Sequence, residues 1–168
     1  MTTLASERLR LRPLVEADAE GMATLLEHDV EATAMTARIP LPCTAVAARV
    51  WILLAAGPPA YTFAIERRDD GAFLGAVGFV LLPEAAGLGY WLGRRYWGLG
   101  YATEAAALAL AHAHDLGATR AEAETFPENA ASARVLAKLG FRVIGEVTRD
   151  LPRRGGPRTL VQWECRLT

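Results

Sequence analysis

The chain has 168 residues, and at about 100–200 residues per domain one core accounts for all of it, so the expectation is a single domain spanning 1–168. Hydrophobic residues make up 52% and charged residues 22%, which excludes intrinsic disorder, because so apolar a chain buries enough surface to offset its ordering entropy. Lys and Arg total 18 against 19 Asp and Glu, a net charge of −1; no whole-molecule field draws the chain to nucleic acid or to a membrane, and any anion site must be local.

The opening Arg8-Leu9-Arg10-Leu11-Arg12 alternates with the period of a half-buried strand, which Pro13 ends. From Glu16 to Glu27 the apolar positions Ala19, Met22, Ala23, Leu25 and Leu26 recur at helical spacing. Residues 28–43 carry no clear period, and Pro40 and Pro42 break the backbone, so a loop or short helical turns are expected there. Thr44 is placed to cap a second helix that closes at Gly57. Tyr61, Phe63 and Ile65 then alternate as a strand. Asp70-Gly71 supplies a hairpin turn, Phe73 to Leu82 a second strand, and Ala86 to Leu92 a third. A helix from Gly100 to Leu116 stops at Gly117, and Arg120 to Phe126 alternates small residues with Glu122 and Glu124 as a strand against a helix. Asn129 can cap a last helix ending at Gly140, which sets Ser132 on the same face as Val135, Leu136 and Leu139. Phe141 to Thr148 and Thr159 to Leu167 form a closing hairpin, with Leu160 directed away from the face of Val161, Trp163, Cys165 and Leu167. The sum is an α/β (α+β) fold: a mixed, mostly antiparallel, seven-stranded sheet with about four helices on its faces.

Cys43 and Cys165 are too few for a disulfide framework, and no basic stretch followed by an apolar run stands at the N-terminus. The apolar runs Trp51–Ala56 and Ala76–Leu82 fall short of the ~20 residues needed to cross a bilayer. A cytoplasmic protein without a membrane span is expected. His112 and His114, two apart on a helix, face different sides and make no metal pair, so no metal is expected. Arg153, Arg154 and Arg158 read as a solvated hairpin loop, with contact to a phosphate or an acidic partner as the lesser alternative.

The chemistry concentrates in Tyr90-Trp91-Leu92-Gly93-Arg94-Arg95-Tyr96-Trp97-Gly98-Leu99-Gly100-Tyr101-Ala102-Thr103, which joins a strand to a long helix. At such a junction free backbone N–H groups and the positive end of the helix dipole face outward. Gly98 and Gly100 let the backbone curl around one anion, for which a pyrophosphate is the natural guest, and Arg95 can add a cation. The loop lacks the Gly-Lys-Ser/Thr ending of a nucleotide triphosphate loop, which argues against a kinase or ATPase. The glycines of Gly87-Leu88-Gly89-Tyr90-Trp91-Leu92-Gly93 lie within a strand at the wrong spacing for a dinucleotide fingerprint.

Arg95-Tyr96-Trp97-Gly98-Leu99-Gly100 resembles the Arg/Gln-x-x-Gly-x-Gly/Ala signature of the GNAT superfamily of acyl-CoA-dependent N-acetyltransferases. The resemblance extends to Glu7–Pro13, to Tyr-Trp-Leu-Gly before the loop and Gly100–Ala105 after it, and to Asn129-x-x-Ser132 followed by Val135–Phe141; together these are similar to the ribosomal-protein N-terminal acetyltransferase branch. It implies a sheet whose two central strands splay, with acetyl-CoA as co-substrate held by Leu92, Arg95 and the stretch Trp97, Gly98, Leu99, Gly100, Tyr101, Ala102 and Thr103. It further implies Asn129 beside the pantetheine arm, Ser132 beside the thiol, and a primary amine, protein N-terminal or small-molecule, that attacks the thioester directly.

One position departs from that pattern. The branch often carries Glu two residues before the Gly-Tyr of the central strand, and here Gly87 stands there. Glu84 is then the first candidate for a proton acceptor, with His28 and Glu31 as others, and water suffices for an amine of low pKa. The same departure leaves a non-catalytic acyl-CoA-binding module as the alternative function, and a longer acyl group as a third reading. Trp51, Tyr90, Trp91 and Tyr96 could line an acceptor pocket or simply pack. A homodimer through exposed strand edges is the remaining expectation.

Overall fold

Strand-forming and helix-forming stretches alternate along the chain, and the computed structural model describes residues 2–168 of it. In chain order the elements are β1 (Leu4–Ala5), β2 (Leu9–Pro13), α1 (Asp18–Leu26), α2 (Val30–Ala34), α3 (Ala45–Leu54), β3 (Ala60–Arg67), β4 (Phe73–Leu81), β5 (Ala85–Leu92), α4 (Tyr101–Asp115), β6 (Arg120–Thr125), α5 (Ala130–Lys138), β7 (Arg142–Leu151) and β8 (Gly156–Arg166). The strands form one sheet in the order β1-β2-β3-β4-β5-β6-β8-β7, antiparallel except where β5 meets β6.

The sheet thus has eight strands where the sequence predicts seven, because Leu4–Ala5 adds a two-residue edge pairing with Leu11 and Arg10, too short to show a period. A fifth α-helix, α2, lies in the segment without periodicity; the Asp29 side chain caps it by accepting from the Ala32 amide at 3.0 Å. Thr44 caps α3 through the Ala47 amide at 3.2 Å, as its position predicts.

Strand alternation separates two cores. Leu11, Ile65, Val77, Leu88 and Leu92 face α4 and the Leu136 side of α5, with the alanines of α4 allowing close approach. Ala76 and Trp91 face the other way and pack with Met22, Leu26, Ile39 and Ile52 from α1, α3 and the intervening segment. His112 sits within the first core's aromatic layer, edge-on to Tyr61, Phe63 and Phe79. Cys165 and Trp163 join the same core, and Leu160, on the opposite face of β8, is buried as well.

Charged groups also enter the interior in paired form. Glu66 receives Arg10 and Arg12, and Arg12 continues to Asp18 with two bonds of 2.7 and 2.9 Å. Burial opposes ionisation of Glu66, and the two guanidiniums outweigh it, so its carboxyl lies below the usual range. Arg154, in the turn between β7 and β8, is buried at 8% exposure. It donates to the carbonyls of Thr36 and Ile39, both at 2.7 Å, and of Thr33 at 3.2 Å. The predicted solvated loop therefore supplies a strut that holds the 33–39 segment against the sheet.

The feature that positions the site is the junction of β5 and β6. Parallel pairing covers only Ala85↔Arg120, Ala86↔Ala121 and Gly87↔Glu122, after which the strands part. From Leu88 onward β5 has β4 on one side and a gap on the other.

Candidate active site

The gap opens toward a loop that the sequence shapes residue by residue. After β5 the chain makes a short 3-10 turn at Arg94–Tyr96, and the Trp97 indole donates back to the Leu92 carbonyl at 2.9 Å, folding the loop onto the strand end. Gly98 and Gly100 then take φ of +73° and +83°, the left-handed region that side chains other than glycine adopt at a cost. Gly100 precedes the first turn of α4, whose first intrahelical bond at this end runs from the Glu104 amide to the Gly100 carbonyl. Among the described residues none of the amides from Gly98 to Thr103 donates to a protein acceptor. A run of free N–H groups at a helix N-terminus is an anion cradle, and a Cβ built on Gly98 meets nothing within 4 Å, so the approach is open.

Arg95 is exposed beside this cradle, without a carboxylate partner among the described residues. Arg94 is committed elsewhere, to Asp29 at 2.7 Å and Glu31 at 3.2 Å, and so fastens α2 to the loop. Leu99 offers an exposed side chain while its carbonyl accepts from Arg8 at 2.9 Å. Tyr101 is buried with the Arg8 guanidinium over its ring, and Ala102 packs against the core. Thr103 is half-buried. Arg8 also binds Glu104 at 2.6 Å. Burial opposes ionisation of Glu104, yet Ser6 and Arg8 hold its carboxyl below the usual range. Sequence reading places Arg8 in a strand and misses this buttressing role, because nothing local ties residue 8 to residues 99 and 104.

Across the gap, Asn129 caps α5 by accepting from the Ser132 amide at 3.1 Å, and its own amide group lies 3.4 Å from the Met35 carbonyl. Ser132 reaches the Tyr90 hydroxyl at 2.7 Å. The fold thus brings Asn129, Ser132 and the cradle to one side of the sheet, the side of α4 and α5.

The three carboxylate and imidazole candidates are not gathered there. Glu84 lies at the paired end of β5, 76% exposed, with Arg120 at 3.8 Å. Glu31 is also largely exposed and turned to Arg94, and His28 is exposed in the α1–α2 connection. The strand register reveals other acids. Gly87 pairs with Glu122, so Glu122 and Glu124 share the sheet face of Gly87, Gly89 and Trp91, opposite to that of Ala121 and Ala123. Glu122 is held by Arg120 at 3.2 Å and Glu124 by Arg149. Glu124 belongs to the part of β6 that β5 no longer pairs. Among the described residues no cluster of three or more His, Cys, Asp or Glu is arranged to hold a metal, and no helix is long and apolar enough to cross a membrane.

The site thus combines a splayed parallel junction in an otherwise antiparallel sheet with an anion cradle at the N-terminus of the helix that follows β5. Residues 8–142 match the family described as the Acetyltransferase (GNAT) domain, and the chain belongs to that family of N-acetyltransferases. It is 30% identical over 163 residues to an uncharacterized N-acetyltransferase, p20, of Bacillus licheniformis, covering 93% of this chain and 90% of that one. A second relative, the uncharacterized N-acetyltransferase YoaA of Bacillus subtilis (strain 168), is 29% identical over 161 residues, with 92% and 90% covered. Among solved structures, Mycobacterium smegmatis RimJ in complex with CoA-disulfide superposes with a TM-score of 0.82 at 24% identity, over 98% of this chain and 87% of that one, a likeness of fold.

Proposed function

We propose that this single domain, 1–168, transfers the acetyl group of acetyl-CoA to a primary amine, either a protein N-terminus or a small molecule, in the cytoplasm. The observation that carries this reading is the run of unpartnered amides from Gly98 to Thr103 at the mouth of the β5–β6 gap. That run fits a pyrophosphate, and the gap beside Asn129 and Ser132 fits a pantetheine arm. The CoA bound to RimJ, a protein of the same fold, supports the cofactor class, and two free, buried cysteines suit a reducing compartment.

Acetyl-CoA supplies an activated acetyl group as a thioester, and the chain's residues do the rest by placement. Arg95 and the loop amides hold the phosphates, and Leu92 and Trp97 set the loop's angle to the strand. Those N–H groups of β5 beyond Gly87 that point away from β4 have no strand partner and are free to polarise a carbonyl oxygen. Asn129 orients the arm, and Ser132 donates to the sulfur. The amine approaches from the face of α1 and α3, where Gly87 and Gly89 leave the sheet bare. N-terminal amines titrate near 7.7–8.0, low enough for a modest acceptor; Glu124, on the part of β6 that has parted from β5, is that acceptor, with Arg149 fixing its direction.

The test is acetyl-CoA-dependent thiol release with peptides beginning in Ser or Ala, polyamines, amino acids and aminoglycosides. Turnover with one of these classes is expected. Gly98→Val should weaken acetyl-CoA about fivefold to thirtyfold, since a side chain at that φ costs about 1–2 kcal/mol. Glu124→Gln should lower kcat while Glu84→Gln leaves it unchanged. Binding of acetyl-CoA without turnover of any amine would instead support a non-catalytic acyl-CoA-binding module.

A further inference from the structure

Ser132 Oγ and the Tyr90 hydroxyl lie 2.7 Å apart, and no other hydrogen-bond partner of Ser132 Oγ is found among the described residues. The two come from opposite banks of the gap. Tyr90 stands on β5 three residues beyond its last pairing with β6, and Ser132 stands on α5, which follows β6. The Tyr90 hydroxyl also lies 3.4 Å from the Ser132 carbonyl, an atom that only accepts; the 2.7 Å contact to Ser132 Oγ is the shorter of the two, and by geometry either hydroxyl can donate in it. A phenol is the stronger acid of the two hydroxyls, and burial pushes its pKa up to about 12, so it stays protonated. With Tyr90 donating, Ser132 Oγ accepts through a lone pair and its own hydrogen is turned away from Tyr90, free for a third atom.

We infer that Tyr90 is a positioning residue that fixes the Ser132 hydroxyl as a hydrogen-bond donor toward the sulfur of the leaving thiol. The inference rests on the proposed acetyl-CoA reading and adds a residue that the signature segment offers only as a pocket or packing aromatic. In the reaction the amine nitrogen bonds to the acetyl carbon, the carbon–sulfur bond breaks, its electron pair stays on sulfur, and the amine's proton is released on the acceptor side. Tyr90 and Ser132 keep their protons, and the Ser132 hydrogen bond meets the charge on sulfur.

The test needs no acceptor. The thiol of CoA bound to the protein is titrated by its ultraviolet thiolate absorbance in the native chain and in Tyr90→Phe, Ser132→Ala and the double variant. The bound thiol is expected to ionise at lower pH in the native protein than in Tyr90→Phe, by about half a pH unit or more, roughly threefold in thiolate fraction at a given pH. Ser132→Ala should raise the value at least as far, and adding Tyr90→Phe to it should change nothing more, because the donor that Tyr90 sets is already gone. Tyr90→Phe keeps the ring and its packing. Should that variant nevertheless misfold, 3-fluorotyrosine at position 90, a stronger donor, should shift the bound thiol to lower pH. Native-like titration in Tyr90→Phe, or in the fluorotyrosine protein, overturns the inference while leaving the cofactor reading intact. Failure of the native chain to bind CoA overturns both.

Discussion

Single residues decide how much room the site has, and the glycines of the central strands show it most directly. A Cβ on Gly87 meets only the Val80 carbonyl oxygen at 3.9 Å, an ordinary contact, whereas one on Gly78 falls 2.5 Å from the Tyr61 carbonyl oxygen and 3.1 Å from Thr62 Cα. Gly87→Ala should therefore unfold at the native temperature or slightly above it, since alanine loses less freedom in a strand. Gly78→Ala should lose about 1–3 kcal/mol to backbone overpacking in a denaturant titration. The acid side of the stability profile also rests on particular residues. Glu66 and Glu104 ionise below their ordinary 4.5 in the folded chain. Such groups contribute stability that is full above the unfolded value and is lost as pH falls through the folded value. Glu66→Gln should flatten the fall in stability below pH ~4.5, and at neutral pH should cost about 3 kcal/mol by leaving Arg10 and Arg12 without their shared carboxylate; unchanged acid midpoints would contradict this.

Elements set the site's geometry, and two arginines tie elements that are distant in sequence. Arg8, before β2, holds the Leu99 carbonyl and neutralises Glu104 in the first turn of α4, next to the amides assigned to a pyrophosphate. Arg8→Ala should weaken acetyl-CoA binding about threefold to tenfold by leaving that carboxylate unpaired at the helix N-terminus, more so at low salt. Arg154 ties the β7–β8 turn to the segment after α2 through three carbonyls. Its removal leaves them short of a buried donor, so Arg154→Ala should cost about 2–3 kcal/mol and speed tryptic cleavage at the exposed Arg38; native-like cleavage would contradict the strut. Neither contact was legible in the sequence, because each joins residues about 90–120 apart with no pattern to mark the partner. What was legible had local causes: the alternation of Tyr61, Phe63 and Ile65, the caps Thr44 and Asn129, and the two glycines that turn β5 into α4. The Tyr90–Ser132 pair, by contrast, needs the splay to bring it together, and the two-residue β1 gave no period to read.

At the scale of the whole molecule, the sheet is divided by the parallel junction of β5 and β6, with Tyr90 and Ser132 on the α4 and α5 side and Gly87, Gly89 and Glu124 facing the other way. The edge strand β7 is largely exposed, with Val143 and Ile144 open to solvent. The central claim, that this fold is built around acetyl-CoA, is tested most directly by a thermal unfolding titration with acetyl-CoA, using ATP and NAD as controls. A ligand at a hundredfold excess over Kd adds about 2.7 kcal/mol, which for a domain of this size raises Tm by roughly 5–10 °C. The account predicts that rise with acetyl-CoA and none with the controls; an unmoved Tm at millimolar acetyl-CoA would contradict it.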